Sequence, residues 1–174
     1  MAISTPERVW WKPLNRAERL WLVVAAAFLL ALFATMPLWH IFGKEHTPGE
    51  SYRVDPAGFR ETTSAFIDKY QVGTEGSLPV VRPPVGDVYL MAQQFAWSPI
   101  LELQAGKTYR LHISSIDVNH GFSLQPINMN FQVVPGYDLV LTITPPKPGV
   151  YTIVCNQYCG LGHQLMSGKI IVRS

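Results

Sequence analysis

The sequence predicts an all-β sandwich or barrel carried on one N-terminal transmembrane helix. Two observations carry that reading. The chain has an apolar run near its start without a fixed charge, and its second half breaks into short strand-like runs separated by glycine and proline turns. A third observation bounds it: 174 residues hold one compact domain and one additional element, but hardly two full domains.

The first element is residues 1–19, a cytoplasmic N-terminal segment bearing Arg8, Lys12, Arg16 and Arg19. Residues 20–42, LWLVVAAAFLLALFATMPLWHIF, follow with a single histidine and no other ionisable group. That length exceeds the roughly 20 apolar residues needed to cross a bilayer. A cleaved signal peptide has an apolar core of about 7–15 residues ending at small side chains, whereas this run continues into Met36, Pro37, Leu38 and Trp39. We therefore read an uncleaved anchor. Lys44 is the only close cation after it, so the positive-inside rule puts the N-terminus in the cytoplasm and the remainder outside. Trp10, Trp11 and Trp21 at one end and Trp39 at the other suit the two interfaces.

Residues 43–86 read as a linker containing a short amphipathic helix. Asp55 offers an N-cap and Pro56 a first-turn proline, and Phe59, Thr63, Phe66, Ile67 and Tyr70 recur at helical spacing over 56–70. That face could lie on the membrane, on a partner subunit or on its own domain. GTEGSLPVVRPPVG, residues 73–86, reads as a Pro/Gly-rich connector.

From residue 87 to 174 the runs DVYLMAQQFAW, ILELQ, KTYRLHISS, MNFQVV, DLVLTIT, GVYTIVC and GKIIVRS predict strands. They are rich in β-branched and aromatic residues and are divided by AGK, PGY and PPKPG turns, a spacing that indicates a sandwich or barrel. A net charge of +2, with much of the positive charge beside the apolar run, gives no footprint for nucleic acid.

The chemistry lies in CNQYCGLGHQLM, residues 155–166, which joins the last two predicted strands and holds both cysteines of the chain. A Cys155–Cys159 disulfide is permitted outside the cytoplasm but leaves His163 and Met166 without a role. Zinc would accept two thiolates and an imidazole, yet a structural site wants a fourth strong ligand and methionine is a poor one. Copper uses the whole set, since thiolate, imidazole and thioether favour it at electron-transfer sites. Two thiolates can bridge two copper ions. Each ion then needs one imidazole and one weak ligand: His163, His120 from DVNHGFSL, the Met166 thioether and the Gln157 main-chain carbonyl.

DVNHGF, a VVPG segment and the C-x3-C-x3-H-x2-M loop together resemble subunit II of the haem-copper cytochrome c oxidases, over roughly residues 16–174. The resemblance implies a cupredoxin-like Greek-key sandwich carrying the binuclear copper centre CuA. It implies electron input from cytochrome c or a small blue-copper protein and delivery to subunit I, which reduces oxygen with proton pumping. It also implies a prokaryotic plasma (inner) membrane, with the copper domain on the periplasmic or extracellular side. One helix rather than two, and Gln157 where most members have Glu, are similar to the compact subunit II of B-type oxidases. The glutamine leaves a carbonyl ligand intact but puts the family's neighbouring Mg/Mn site in doubt. QFAW takes the place of the aromatic electron-input segment, with Phe95 at the outer tryptophan position and Trp97 retained.

A CuA subunit of a nitric oxide reductase would share every ligand, and a non-redox anchored sandwich would share the fold. Quinol oxidases carry a similar subunit but lack these cysteines and histidines. His112 alternates with Tyr109, Leu111 and Ile113 in YRLHISS and reads as a surface histidine. His40 and His46 read as interfacial, Met36, Met91 and Met129 as packing residues, and Asp117 as shaping the loop before His120. Acidic residues in the β region are few (Asp87, Glu102, Asp117 and Asp138), which favours apolar donor docking.

Overall fold

The structure, a computed structural model, describes residues 13–43, 49–127 and 129–174. The readings placed on Arg8, Trp10, Trp11, Lys12, Lys44 and His46 lie outside the described residues. The chain divides into two compact units, Met1–Glu45 and His46–Ser174.

The first unit holds helix α1, Arg16–Phe42. It begins four residues before the apolar run because Asn15 and Glu18 form a reciprocal capping box, each side chain accepting from the other's main-chain N–H at 2.8 Å. At 27 residues it is about 40 Å long. None of its residues is buried, and by length and composition it can cross a membrane.

Among the described residues the second unit contains twelve strands and one further α-helix. In chain order these are β1 Glu50–Arg53, α2 Pro56–Tyr70, β2 Gln71–Glu75, β3 Leu78–Val81, β4 Asp87–Gln93, β5 Ala96–Ser98 and β6 Ile100–Gln104. Then come β7 Tyr109–Ser115, β8 His120–Gln125, β9 Met129–Val133, β10 Tyr137–Ile143, β11 Gly149–Cys155 and β12 Ser167–Arg173. One sheet runs β1-β10-β7-β4-β5 and the other β2-β3-β6-β12-β11-β8-β9. The expected β-sandwich is therefore present. Its core is the row of inward side chains, among them Leu90, Leu101, Leu111, Ile113, Phe122, Leu124, Leu141 and Ile153, all sealed from solvent.

Helix α2 has the expected limits, with Asp55 accepting from the Gly58 N–H at 3.1 Å and Pro56 in the first turn. Its apolar face is turned onto the unit's own sheet: Phe59 and Phe66 are buried, with ring centroids 6.1 and 5.5 Å from Tyr89 on β4. Two local expectations change. The 73–86 connector includes a hairpin, β2 and β3, that extends the larger sheet through parallel pairing of Val80 and Val81 with Ile100 and Leu101. Residue 87 is accordingly not where the compact unit begins. The run 87–97 is not one strand but the hairpin β4–β5, turning at Gln94–Phe95.

His112 is a correction of another kind. It is buried, 8% exposed, because α2 and Tyr89 cover the sheet face that alternation had assigned to water. Its ring stacks on Tyr89 at 4.7 Å, and Nδ1 lies 2.7 Å from Asp138. Burial disfavours the imidazolium, but the hydrogen bond and charge of Asp138, with Asp87 adding to them, win and raise its pKa above the usual histidine value.

Candidate metal centre

The strands bring the site together at one end of the sandwich. β11 ends at Cys155 and β12 starts at Ser167, paired antiparallel, so the loop between them closes over the strand ends. β8 pairs with the other edge of β11 and starts at His120, setting Phe122 opposite Cys155. This strand was not foreseen: HGFSLQ begins with a histidine and glycine and carries no clear alternation, but its pairing with β11 and β9 forms it.

Main-chain hydrogen bonds hold the loop. The Cys155 N–H donates to the Met166 carbonyl at 3.2 Å, and the Asn156 N–H to the Gly121 carbonyl at 3.2 Å. A single turn of 3-10 helix over His163–Leu165 is closed by the Leu165 N–H donating to the Gly162 carbonyl at 3.0 Å and the Met166 N–H to the His163 carbonyl at 3.1 Å. Gly121 has to be glycine, since a Cβ there would sit 2.8 Å from the Gln157 nitrogen and collide with the Asn156 side chain. The loop thus lies directly across the residue that follows His120.

All six residues assigned to metal in the sequence converge. The Cys155 and Cys159 Sγ atoms are 3.8 Å apart. His120 Nδ1 stands 3.8 Å from Cys155 Sγ, and His163 Nδ1 stands 3.6 Å from Cys159 Sγ. Met166 Sδ is 3.7 Å from Cys159 Sγ, and the Gln157 carbonyl oxygen 3.2 Å from Cys155 Sγ. Cys155, Cys159, His120 and Met166 are buried, and both cysteines are free thiols.

The donors fall into two overlapping groups. Donor atoms of His120, Cys155 and Cys159 lie within 4.8 Å of one another, and His163 is not part of that cluster. Each imidazole faces its own cysteine. A single tetrahedral zinc needs its four ligands around one point, whereas two half-sites sharing a dithiol suit two soft ions. The donor set fits a thiolate-bridged copper pair, with the thioether on one side and the carbonyl on the other.

Electrostatics agree. Burial pushes the Cys159 thiol up to about 11, and the neighbouring Cys155 adds to it. A dithiolate here therefore needs a cation to form at neutral pH. Asp117 supports His120 from behind, its Oδ1 lying 2.9 Å from Nε2 and leaving Nδ1 for the metal side. Burial works against the Asp117 carboxylate, yet the His120 contact and the N–H groups of Gln94 and Val118 hold its pKa below the usual value. Asp117 thus does more than shape the loop.

The two aromatic residues assigned to electron input sit differently. Phe95 is 38% exposed and lies on the ligand loop, where a Cβ on Gly162 would fall 2.5 Å from its ring. Trp97 is 1% exposed, with its ring edge-on to His120 at 6.1 Å and to Phe122 at 5.6 Å. Tyr158, Leu161 and Leu165 stand out from the same loop, strongly exposed. Sequence reasoning missed Gln94. Its side-chain amide donates to the Cys159 carbonyl, a partner 65 residues away that no local pattern marks.

The family model for the cytochrome c oxidase subunit II periplasmic domain matches residues 93–174. A cytochrome c oxidase subunit 2 of Thermus thermophilus is 36% identical over 160 residues, 90% of this chain and 91% of that protein. The heme-copper oxidase subunit 2 of Aeropyrum pernix is 25% identical, covering 99% of this chain and 88% of its own. Among solved structures, a chain of a heme-copper terminal oxidase dimer superposes with a TM-score of 0.56 at 25% identity, over 91% of this chain and all of the other.

Proposed function

The chain belongs to the cytochrome c oxidase subunit II family, and from that premise we propose that it is the electron-input subunit of a proton-translocating terminal oxidase. The binuclear CuA centre, when bound, supplies one-electron transfer between cytochrome c, or a small blue-copper protein, and the haem-copper subunit I that reduces oxygen to water. The observation that carries the reading is the paired half-site: two thiols 3.8 Å apart, each with its own imidazole nitrogen at 3.8 or 3.6 Å.

The chain's own residues do the rest. Cys155, Cys159, His120, His163, Met166 and the Gln157 carbonyl would hold the copper ions, the thiolates and imidazoles as strong donors and the thioether and carbonyl as weak ones. Fixing these donors between β11, β12 and β8 would limit their movement when an electron is gained or lost. Phe95, Tyr158, Leu161 and Leu165 offer a donor an uncharged face beside the ligands. Contact falls to Phe95 rather than to the buried Trp97, which backs His120 from inside. α1 anchors the chain in a prokaryotic plasma membrane, with its N-terminus cytoplasmic and the β unit on the outer side, against subunit I.

The test is anaerobic rapid mixing of the purified complex with reduced cytochrome c. The copper absorption should bleach before the haems of subunit I are reduced. Haem reduction while the copper stays oxidised refutes the assignment.

A further inference from the structure

We propose that Gln94 is a positioning residue for electron input, clamping the Phe95 ring and the Cys159 peptide into one unit through two hydrogen bonds. The proposal rests on the reading of the loop as a copper site with Phe95 at its surface. Gln94 sits in the exposed turn between β4 and β5, where a glutamine ordinarily needs only water. This one is committed at both ends. Its main-chain N–H donates to Asp117 Oδ2 at 2.6 Å, and the other oxygen of that carboxylate meets His120 Nε2 at 2.9 Å. Its side-chain Nε2 donates to the Cys159 carbonyl. One residue therefore touches the supports of two ligands, His120 by way of Asp117 and Cys159 through its own peptide.

The loop is built to receive it. Gly160 has φ of +135°, and a Cβ there would fall 2.7 Å from Gln94 Nε2 and 3.2 Å from the Phe95 ring. A Cβ on Gly162 would fall 2.5 Å from the same ring. Two glycines thus clear the space into which Gln94 and Phe95 descend. The two residues at the tip of the turn, Gln94 and Phe95, are both exposed. The amide is what fixes the ring against the ligand loop.

The experiment uses the full chain in detergent, with Gln94→Ala and with Gln94→Glu. The glutamate keeps the size but replaces the N–H donor with a carboxylate oxygen facing a carbonyl. In the copper-free form, the α protons of Gly160 and Gly162 report the Phe95 ring current by NMR. In the copper-loaded form, copper content, the visible spectrum and reduction by cytochrome c at varied donor concentration are followed. Both variants should keep the parent's copper content, lose the ring-current shifts, and show a transfer rate about tenfold lower or more at saturating donor, with little change in the half-saturating concentration. Unchanged shifts and rates in both variants overturn the proposal, as does loss of copper from both, which would make Gln94 a support of the ligand set instead. A parent chain that binds no copper pair defeats the reading of the site, and the NMR comparison still judges the clamp by itself.

Discussion

Replacing Asp117 by Asn tests how far the ligands depend on the groups behind them. Its carboxylate accepts from His120 Nε2 at 2.9 Å, the Val118 N–H at 2.6 Å, the Gln94 N–H at 2.6 Å and the Ser115 hydroxyl at 3.1 Å. Asparagine keeps one acceptor oxygen. If that oxygen faces His120, Ser115 and Val118, the amide nitrogen faces the Gln94 N–H and a donor is left unpaired. A hydrogen bond to a charged group contributes about 1.5–3 kcal/mol and a neutral one about 0.5–1.5, so the His120 contact weakens by about 1–1.5 kcal/mol. That is roughly tenfold in copper affinity, at the low end of the ~10–100-fold effect usual for groups behind a metal ligand. Asp117→Ala should reach the upper end. Competition with a chromophoric copper(I) chelator measures the affinity. A value for Asp117→Asn within twofold of the parent would refute the reasoning. The same carboxylate gives a signature without copper. Its folded pKa is lowered, so its stabilisation is present above the unfolded value near 4 and is lost as pH falls through the folded value. Denaturant melts of the copper-free parent should lose that component below about pH 4, while the Asn variant should not show it.

The Cys159 thiol, pushed up to about 11, has to lose its proton to bind copper, so loading at neutral pH should release protons and tighten as pH rises. Calorimetric titration in buffers of different ionisation enthalpy reads the number released, and a value of zero would contradict the dithiolate site. Donor docking should depend weakly on ionic strength, because the loop face presents Tyr158, Leu161, Leu165 and Phe95 rather than charge. A steep fall in on-rate with added salt would remove that face from the account. For His112 the folded pKa is raised, so its pairing with Asp138 stabilises fully below the unfolded value near 6.5 and less as pH rises through the folded one. Urea melts between pH 6 and 9 should show the parent losing stability and His112→Gln staying flatter; parallel curves would break the link to this residue.

Local grammar made much of the molecule legible. Cys155, Cys159, His163 and Met166 lie within one loop, so spacing and donor chemistry single them out as candidate donors, and Asp55-Pro56 marked the start of α2 as it stands. His120 is legible as a candidate donor but not as the start of a strand, because β8 owes its form to β9 and β11. The β2–β3 hairpin was hidden by Gly76, Pro79 and Pro83, which signal a loop; parallel pairing to β6, about twenty residues on, makes it a sheet edge. His112 was misplaced because alternation reports one sheet face at a time, and α2 arrives from a distant part of the chain to bury the other. Gln94 gave no signal at all. Its partner is fixed only when β4–β5 and the ligand loop meet in space.

The central claim is two metal ions shared by one dithiol, and metal content with the spectrum of the loaded chain tests it most directly. The full-length protein, reduced, loaded with copper and freed of excess, should hold two copper ions per chain. It should be purple in its oxidised form, with one unpaired electron spread over both nuclei in its electron paramagnetic resonance. A single copper per chain with a blue-copper spectrum, or one tightly held zinc that copper does not displace, would contradict it.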